Sequence, residues 1–166
     1  MAEKIPDPPF TLPDLTLTRA QASDILSIQS MVNAAYEKYI PRIGKPPAPM
    51  AADYASLLTT RDIFILHSAQ SPVGALVLQH QPDCDALKIE NLVVDPSAQG
   101  RGYGKVLMRY AEDFARSRGC NALELYTNVK MFENLGLYLK MGFVETGRRE
   151  EDGFERVYFR KELGNM

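Results

Sequence analysis

Val94-Asp95-Pro96-Ser97-Ala98-Gln99-Gly100-Arg101-Gly102-Tyr103-Gly104-Lys105-Val106 joins two runs of different period. The residues before it, 89–94, are largely apolar. Those after it, 106–115, are amphipathic with helical spacing. The stretch therefore reads as a strand, a tight turn and the first turn of a helix. Gly100, Gly102 and Gly104 let backbone amides approach a ligand without an intervening Cβ. A helix start adds unpaired N–H groups and the positive end of a dipole. Together these features describe a pyrophosphate cradle.

Spacing limits which cradle it is. A P-loop needs a glycine five residues before the Gly-Lys pair and Ser or Thr after it. Gly104-Lys105 has Gln99 at the first position and Val106 at the second, so both ends fail. The dinucleotide fingerprint wants Gly-x-Gly-x-x-Gly, whereas this loop reads Gly-x-Gly-x-Gly and follows three strands.

Working outward, Leu15-Thr16-Leu17-Thr18 alternates like a strand. Ser23 and Asp24 are placed to open a helix, with Ile25, Ile28, Val32, Ala35, Tyr36 and Tyr39 on one face and Pro41 as its stop. The proline-rich residues 40–50 read as a stiff loop, and residues 53–58 as a short second helix. Residues 62–68 and 73–81 form a hairpin across Ser71-Pro72, and 87–94 a third strand after Pro82-Asp83. A long helix spans 102–118, with Gly119 as its cap. A strand follows at 122–126, and strand, helix, strand implies a right-handed crossover to a parallel neighbour. Residues 131–141 read as a helix with Phe132, Leu135, Tyr138 and Leu139 inward. Residues 143–147 and 154–160 close the chain as a hairpin over Asp152-Gly153. The expected order is β-α-α-β-β-β-α-β-α-β-β, a mixed α/β sheet, with one domain over residues 15–163 and a flexible tail over 1–14.

Composition constrains function. The 166 residues are 45% hydrophobic and 24% charged, with net charge −2, so nothing points to a nucleic-acid surface. Cys84 and Cys120 match no metal spacing and are too few for a disulfide framework, which makes a reducing cytoplasm the expectation. No apolar run is long enough to span a bilayer, and the proline-rich N-terminus lacks a secretory apolar core. His67 and His80 have no partner at ligand spacing, so no metal site is expected. The run Arg148-Arg149-Glu150-Glu151-Asp152 reads as a solvated hairpin tip.

Gln99-x-x-Gly102-x-Gly104 resembles the Gln/Arg-x-x-Gly-x-Gly/Ala signature of the GCN5-related N-acetyltransferase (GNAT) superfamily. Val93-Val94-Asp95-Pro96 is similar to the family's strand end before that loop. Leu137-Tyr138-Leu139-Lys140-Met141-Gly142-Phe143 resembles its late Leu-Tyr-x-x-x-Gly-Phe signature. The resemblance covers nearly the whole domain and implies the acyl-CoA N-acyltransferase fold. It further implies an acetyl-coenzyme A-dependent N-acetyltransferase in which a primary amine, of a small molecule or a peptide, attacks the thioester directly. The strands at 87–94 and 122–127 should splay and admit the pantetheine arm. Backbone groups of Leu92, Val93 and Val94 should hold that arm, and Gln99, Gly100, Arg101, Gly102, Tyr103, Gly104 and Lys105 the pyrophosphate. Relatives carry a pantetheine-binding Asn seven positions before the helix tyrosine. Here that position is Met131, so the role falls to Asn134 or Asn128.

Tyr138 occupies the family's general-acid position. Glu90 is the base candidate, with a water chain as the alternative and a pairing with Lys88 as the plainer reading. Tyr36, Tyr39 and Arg42 are candidate acceptor-pocket residues, and Arg42 with Lys45 hints at an anionic group on the acceptor. A homodimer is compatible with the resemblance. A non-catalytic acyl-coenzyme A sensor would carry the same cradle, and only turnover separates the two.

Overall fold

The computed structural model describes residues 10–12 and 14–164. Among them are eight strands: β1 (Phe10–Leu12), β2 (Leu15–Arg19), β3 (Asp62–Ser68), β4 (Ser71–Gln79), β5 (Ala86–Val94), β6 (Ala122–Asn128), β7 (Val144–Glu151) and β8 (Phe154–Glu162). They form one sheet in the order β1-β2-β3-β4-β5-β6-β8-β7. All neighbours are antiparallel except β5 and β6, which the crossover helix α5 (Tyr103–Ser117) makes parallel. The expected tail over 1–14 includes β1, which pairs with β2 from Phe10↔Leu17 to Leu12↔Leu15. Residues 1–9 and 13 of that tail lie outside the described residues.

Two cores sandwich the sheet. Ile63, Phe64, Ile65 and Leu66 are all buried, because β3 is covered on both faces. Phe64 and Leu66 face α5, where Leu107, Tyr110, Ala111, Phe114 and Ala115 supply the inner stripe. Phe64 meets Tyr110 and Phe114 edge-on at 5.0 and 5.7 Å between ring centres. Ile63 and Ile65 face the other way, onto Ile28, Met31 and Val32 of α1 (Ile25–Tyr36). No helix among the described residues is long and apolar enough to cross a membrane.

The segment after α1 departs from expectation. Pro41 does not stop the helical path. A 3₁₀ turn at Glu37–Tyr39 absorbs the change of direction, and Pro41 sits in the first turn of α2 (Ile40–Ile43), where no N–H is required. Residues 40–50 are thus not a plain loop. They hold α2, a left-handed Gly44 and α3 (Ala48–Ala51), followed by α4 (Tyr54–Leu57), whose N-cap Asp53 accepts from the Ser56 amide. Asp24 caps nothing forward; its carboxylate accepts from the Gln21 amide and closes a short 3₁₀ turn instead.

Two smaller corrections concern a turn and a helix face. The β3–β4 turn falls at Ala69 and Gln70, both at positive φ, and Ser71-Pro72 belong to β4. The twist of a two-residue hairpin demands that left-handed pair, whatever residues occupy it. On α6 (Phe132–Lys140), Phe132 and Leu139 are 59% and 56% exposed, so the buried stripe is narrower than expected. Asp152 and Gly153 form the β7–β8 turn at positive φ, as expected.

Candidate active site

The β5–β6 pairing holds for only three residue pairs, Ala86↔Ala122, Leu87↔Leu123 and Lys88↔Glu124. Beyond Lys88 the strands diverge. A bulge explains where. Along β4, Val77 pairs with Asn91 and Leu78 with Ile89, so Glu90 is the extra residue of β5. A bulge bends its strand and raises local twist, which turns the C-terminal half of β5 away from β6. Groups of residues 89–94 that face β6 then have no strand partner.

A cavity of about 390 Å³ fills the opening. Glu90, Asn91 and Leu92 line it from β5, Tyr126, Thr127 and Asn128 from β6, and Met131, Asn134 and Tyr138 from the far side. Residues of α1, α3 and α4 roof it, among them Tyr36, Ala48 and Tyr54.

Tyr138 hangs from α6 with its ring against Phe143 and Phe159, at 5.8 and 5.7 Å. Burial, then the neighbouring Tyr39 hydroxyl, pushes its pKa up to about 12. The hydroxyl therefore keeps its proton at neutral pH, as a donor must. Glu90 pairs with Arg61, not with Lys88. Its Oε1 accepts from Arg61 Nε at 2.7 Å, both side chains being mostly buried. Lys88 instead places Nζ 5.1 Å from the centre of the Tyr126 ring.

A buried chain of hydrogen bonds anchors the roof, and nothing in the spacing of its members announces it. Tyr36 donates to Asn91 Oδ1 at 2.9 Å, Asn91 Nδ2 donates to Tyr54 Oη at 3.2 Å, and Tyr54 donates to the Pro49 carbonyl at 2.7 Å. Asn91 is 8% exposed, so its amide depends on these partners. Desolvation raises the pKa of Tyr54 to about 12 and that of Tyr36 well above its usual value, the latter aided by the Tyr138 hydroxyl.

Of the acceptor-pocket candidates, Tyr36 lines the cavity, whereas Tyr39 and Arg42 do not. Tyr39 is buried against Tyr36, at 6.2 Å between ring centres. Arg42 is a strut. It donates to the Lys130 carbonyl and to Glu133 Oε2, at 3.1 and 2.8 Å, and lies over Phe132. Lys45 does the same on the other flank, donating to the Gly153 carbonyl at 2.8 Å and sitting over Phe154. Both expected anion binders are spent holding the roof across the mouth. The cation that does line the cavity is Arg156, whose side chain is 5% exposed. Its place in a charge-rich terminal hairpin hides it in the sequence. Glu151, assigned to a solvated tip, accepts from Arg156 and from Tyr158.

The glycine loop lies at the end of β5. Gly100 and Gly102 adopt left-handed φ of 83° and 86°, and a Cβ at either would project into open space. Gly102 is the N-cap of α5, so the first-turn amides have no helical acceptor. Arg101 and Lys105 are exposed and form no ion pair among the described residues. Such a concavity fits a pyrophosphate. Gln99 turns its amide back onto the Val94 carbonyl at 3.3 Å, and Tyr103 donates to Ser68 at 3.1 Å, so both side chains brace the loop. Asn128 accepts from the Lys130 amide, and Asn134 points at Thr127 Oγ1 at 3.5 Å. Among the described residues no cluster could hold a metal ion.

Known proteins share this architecture. The chain is similar to a streptothricin acetyltransferase of Streptomyces lavendulae, 47% identical over 37% of this chain and 32% of the relative. It is also similar to the peptidyl-lysine N-acetyltransferase YjaB of Salmonella typhimurium, 33% identical over 52% of each. The chain thus matches a third to a half of these relatives' lengths. The PaiA N-acetyltransferase of Thermoplasma acidophilum, solved with coenzyme A, superposes with a TM-score of 0.73 at 13% identity, over 90% of this chain and 99% of that one. A model of the acetyltransferase (GNAT) family matches residues 28–143, and with the opened β5–β6 seam and the glycine loop at its end, the chain belongs to that family.

Proposed function

We propose that this protein is an acetyl-coenzyme A-dependent N-acetyltransferase acting on a primary amine by direct attack. The observation that carries the reading is the three-pair β5–β6 contact that opens into a cavity holding Glu90 and Tyr138. Acetyl-coenzyme A supplies the acetyl group as a thioester and leaves as the thiol. Gly100, Gly102, Gly104 and the first-turn amides would hold its pyrophosphate, with charge from Arg101 and Lys105. Backbone groups of Leu92, Val93 and Val94 would take the pantetheine arm as a strand takes its neighbour, aided by Asn128 or Asn134. An amide aimed at the developing oxyanion is worth roughly 3–4 kcal/mol.

Glu90 would accept the proton the amine loses, and Tyr138 would give one to the departing sulfur. Arg61 holds Glu90 in place through one oxygen and leaves the other for the amine. The two cysteines are free thiols, Cys84 exposed, which suits a reducing cytoplasm. The test is to mix the protein with acetyl-coenzyme A and a panel of amines and follow thiol release. Release that depends on both components is expected; binding without release under any amine would leave a sensor in its place.

A further inference from the structure

Arg156 is mostly buried on the cavity wall, yet its guanidinium has donors to spare. Nη1 donates to Glu151 Oε1 at 2.8 Å and reaches Asp152 Oδ2 at 3.4 Å. Nε and Nη2 have no hydrogen-bond partner among the described residues. Glu151 meanwhile is oversupplied, since Tyr158 and Arg149 also reach its Oε2, at 3.1 and 3.4 Å. The guanidinium lies 4.2 Å from the centre of the Tyr126 ring. Tyr126 in turn feels the charges of Arg156 and Glu90 together, so both lie within its electrostatic reach. Tyr36, Tyr126 and Phe154 add aromatic lining to the same cavity.

A planar fork of donors on the wall of an apolar cavity matches a carboxylate better than any neutral group. We propose, resting on the acetyltransferase reading, that the acceptor is a small amino acid-like molecule whose carboxylate binds Arg156 while its amine faces Glu90. In the transfer the amine nitrogen bonds to the acetyl carbon as the carbon–sulfur bond breaks. The nitrogen's proton passes to Glu90 and the sulfur takes one from Tyr138, giving the N-acetyl acid and free thiol. The aromatic walls favour an apolar or aromatic side chain on the acceptor.

The test compares amino acids with their carboxamides as acceptors, L-phenylalanine against L-phenylalaninamide first and then the other common pairs. Thiol release in the wild type is expected to favour the carboxylate partner by about 10- to 100-fold in kcat/KM, mostly through KM. Arg156→Gln should abolish that preference while the thermal shift on adding coenzyme A stays; Arg156→Lys should restore part of it. Equal use of acid and amide by the wild type would overturn the proposal and leave the acetyltransferase reading standing. Coenzyme A binding with no thiol release that depends on any amine would overturn both. The wild-type comparison needs no variant, so a misfolded Arg156→Gln protein does not blunt it.

Discussion

At the scale of single residues, the site is organised by what burial does to tyrosine. Tyr138 and Tyr54 ionise near pH 12 in the folded chain, against about 10 when unfolded. Because both folded pKa values are raised, their contribution to stability is complete below about pH 10 and is lost as pH climbs toward about 12. Urea midpoints should hold steady below about pH 9.5 and fall steeply above it, and Tyr54→Phe should flatten that slope. For catalysis the same shift predicts no alkaline loss of kcat from Tyr138 up to about pH 10. Tyr138→Phe should lower kcat by about 10²–10³-fold with little change in the KM for acetyl-coenzyme A. Unchanged kcat would remove Tyr138 as the acid. Glu90→Gln should lower kcat/KM at neutral pH by a similar factor, least with weakly basic amines that arrive unprotonated.

Elements place those residues, and here a glycine away from the signature loop is tightly confined by backbone. A Cβ on Gly74 would lie 3.0 Å from both Leu107 Cδ1 and the Val93 carbonyl oxygen. Leu107 can shift a little, but the Val93 carbonyl belongs to the strand expected to hold the pantetheine arm. Gly74→Ala should therefore cost about 1–3 kcal/mol of stability and also weaken coenzyme binding, measurable by denaturation and calorimetry. Gly102→Ala meets no such wall; its cost of about 1–2 kcal/mol comes from the left-handed backbone. This is also the scale at which sequence legibility changes. Strands β2 to β8, α5 and the glycine loop could be read from period and spacing, because each is decided by neighbours in the chain. The short helices α2 and α3, between residues 40 and 51, could not. A run of prolines looks like a loop until Pro41 and Pro49 fall in first turns, where they cost nothing.

The whole molecule brings the site together from partners far apart in sequence, which explains what stayed hidden. Arg61 reaches Glu90, Tyr36 reaches Asn91 and Arg42 reaches Glu133, across 29, 55 and 91 positions. Tyr138 and Glu90 were candidates because the resemblance named their positions, and both line the cavity; Arg156, Asn91 and Tyr54 line it too but had no local signal. A ligand that ties the glycine loop to the seam should stabilise the assembly as a unit. Saturation at about 100 times Kd is expected to raise Tm by about 5–10 °C in a thermal melt.

The widened seam is also a hazard. Beyond Lys88 the inner side of β5 is a sheet edge, and an edge invites any extended chain, including one from another copy. Glu90, paired with Arg61, puts ionised side chains on the wall of that opening, and charge is a device by which proteins deter strand capture. Glu90→Leu should accordingly make the protein prone to aggregate on mild heating when coenzyme A is absent, and less so when it is present, as light scattering would report.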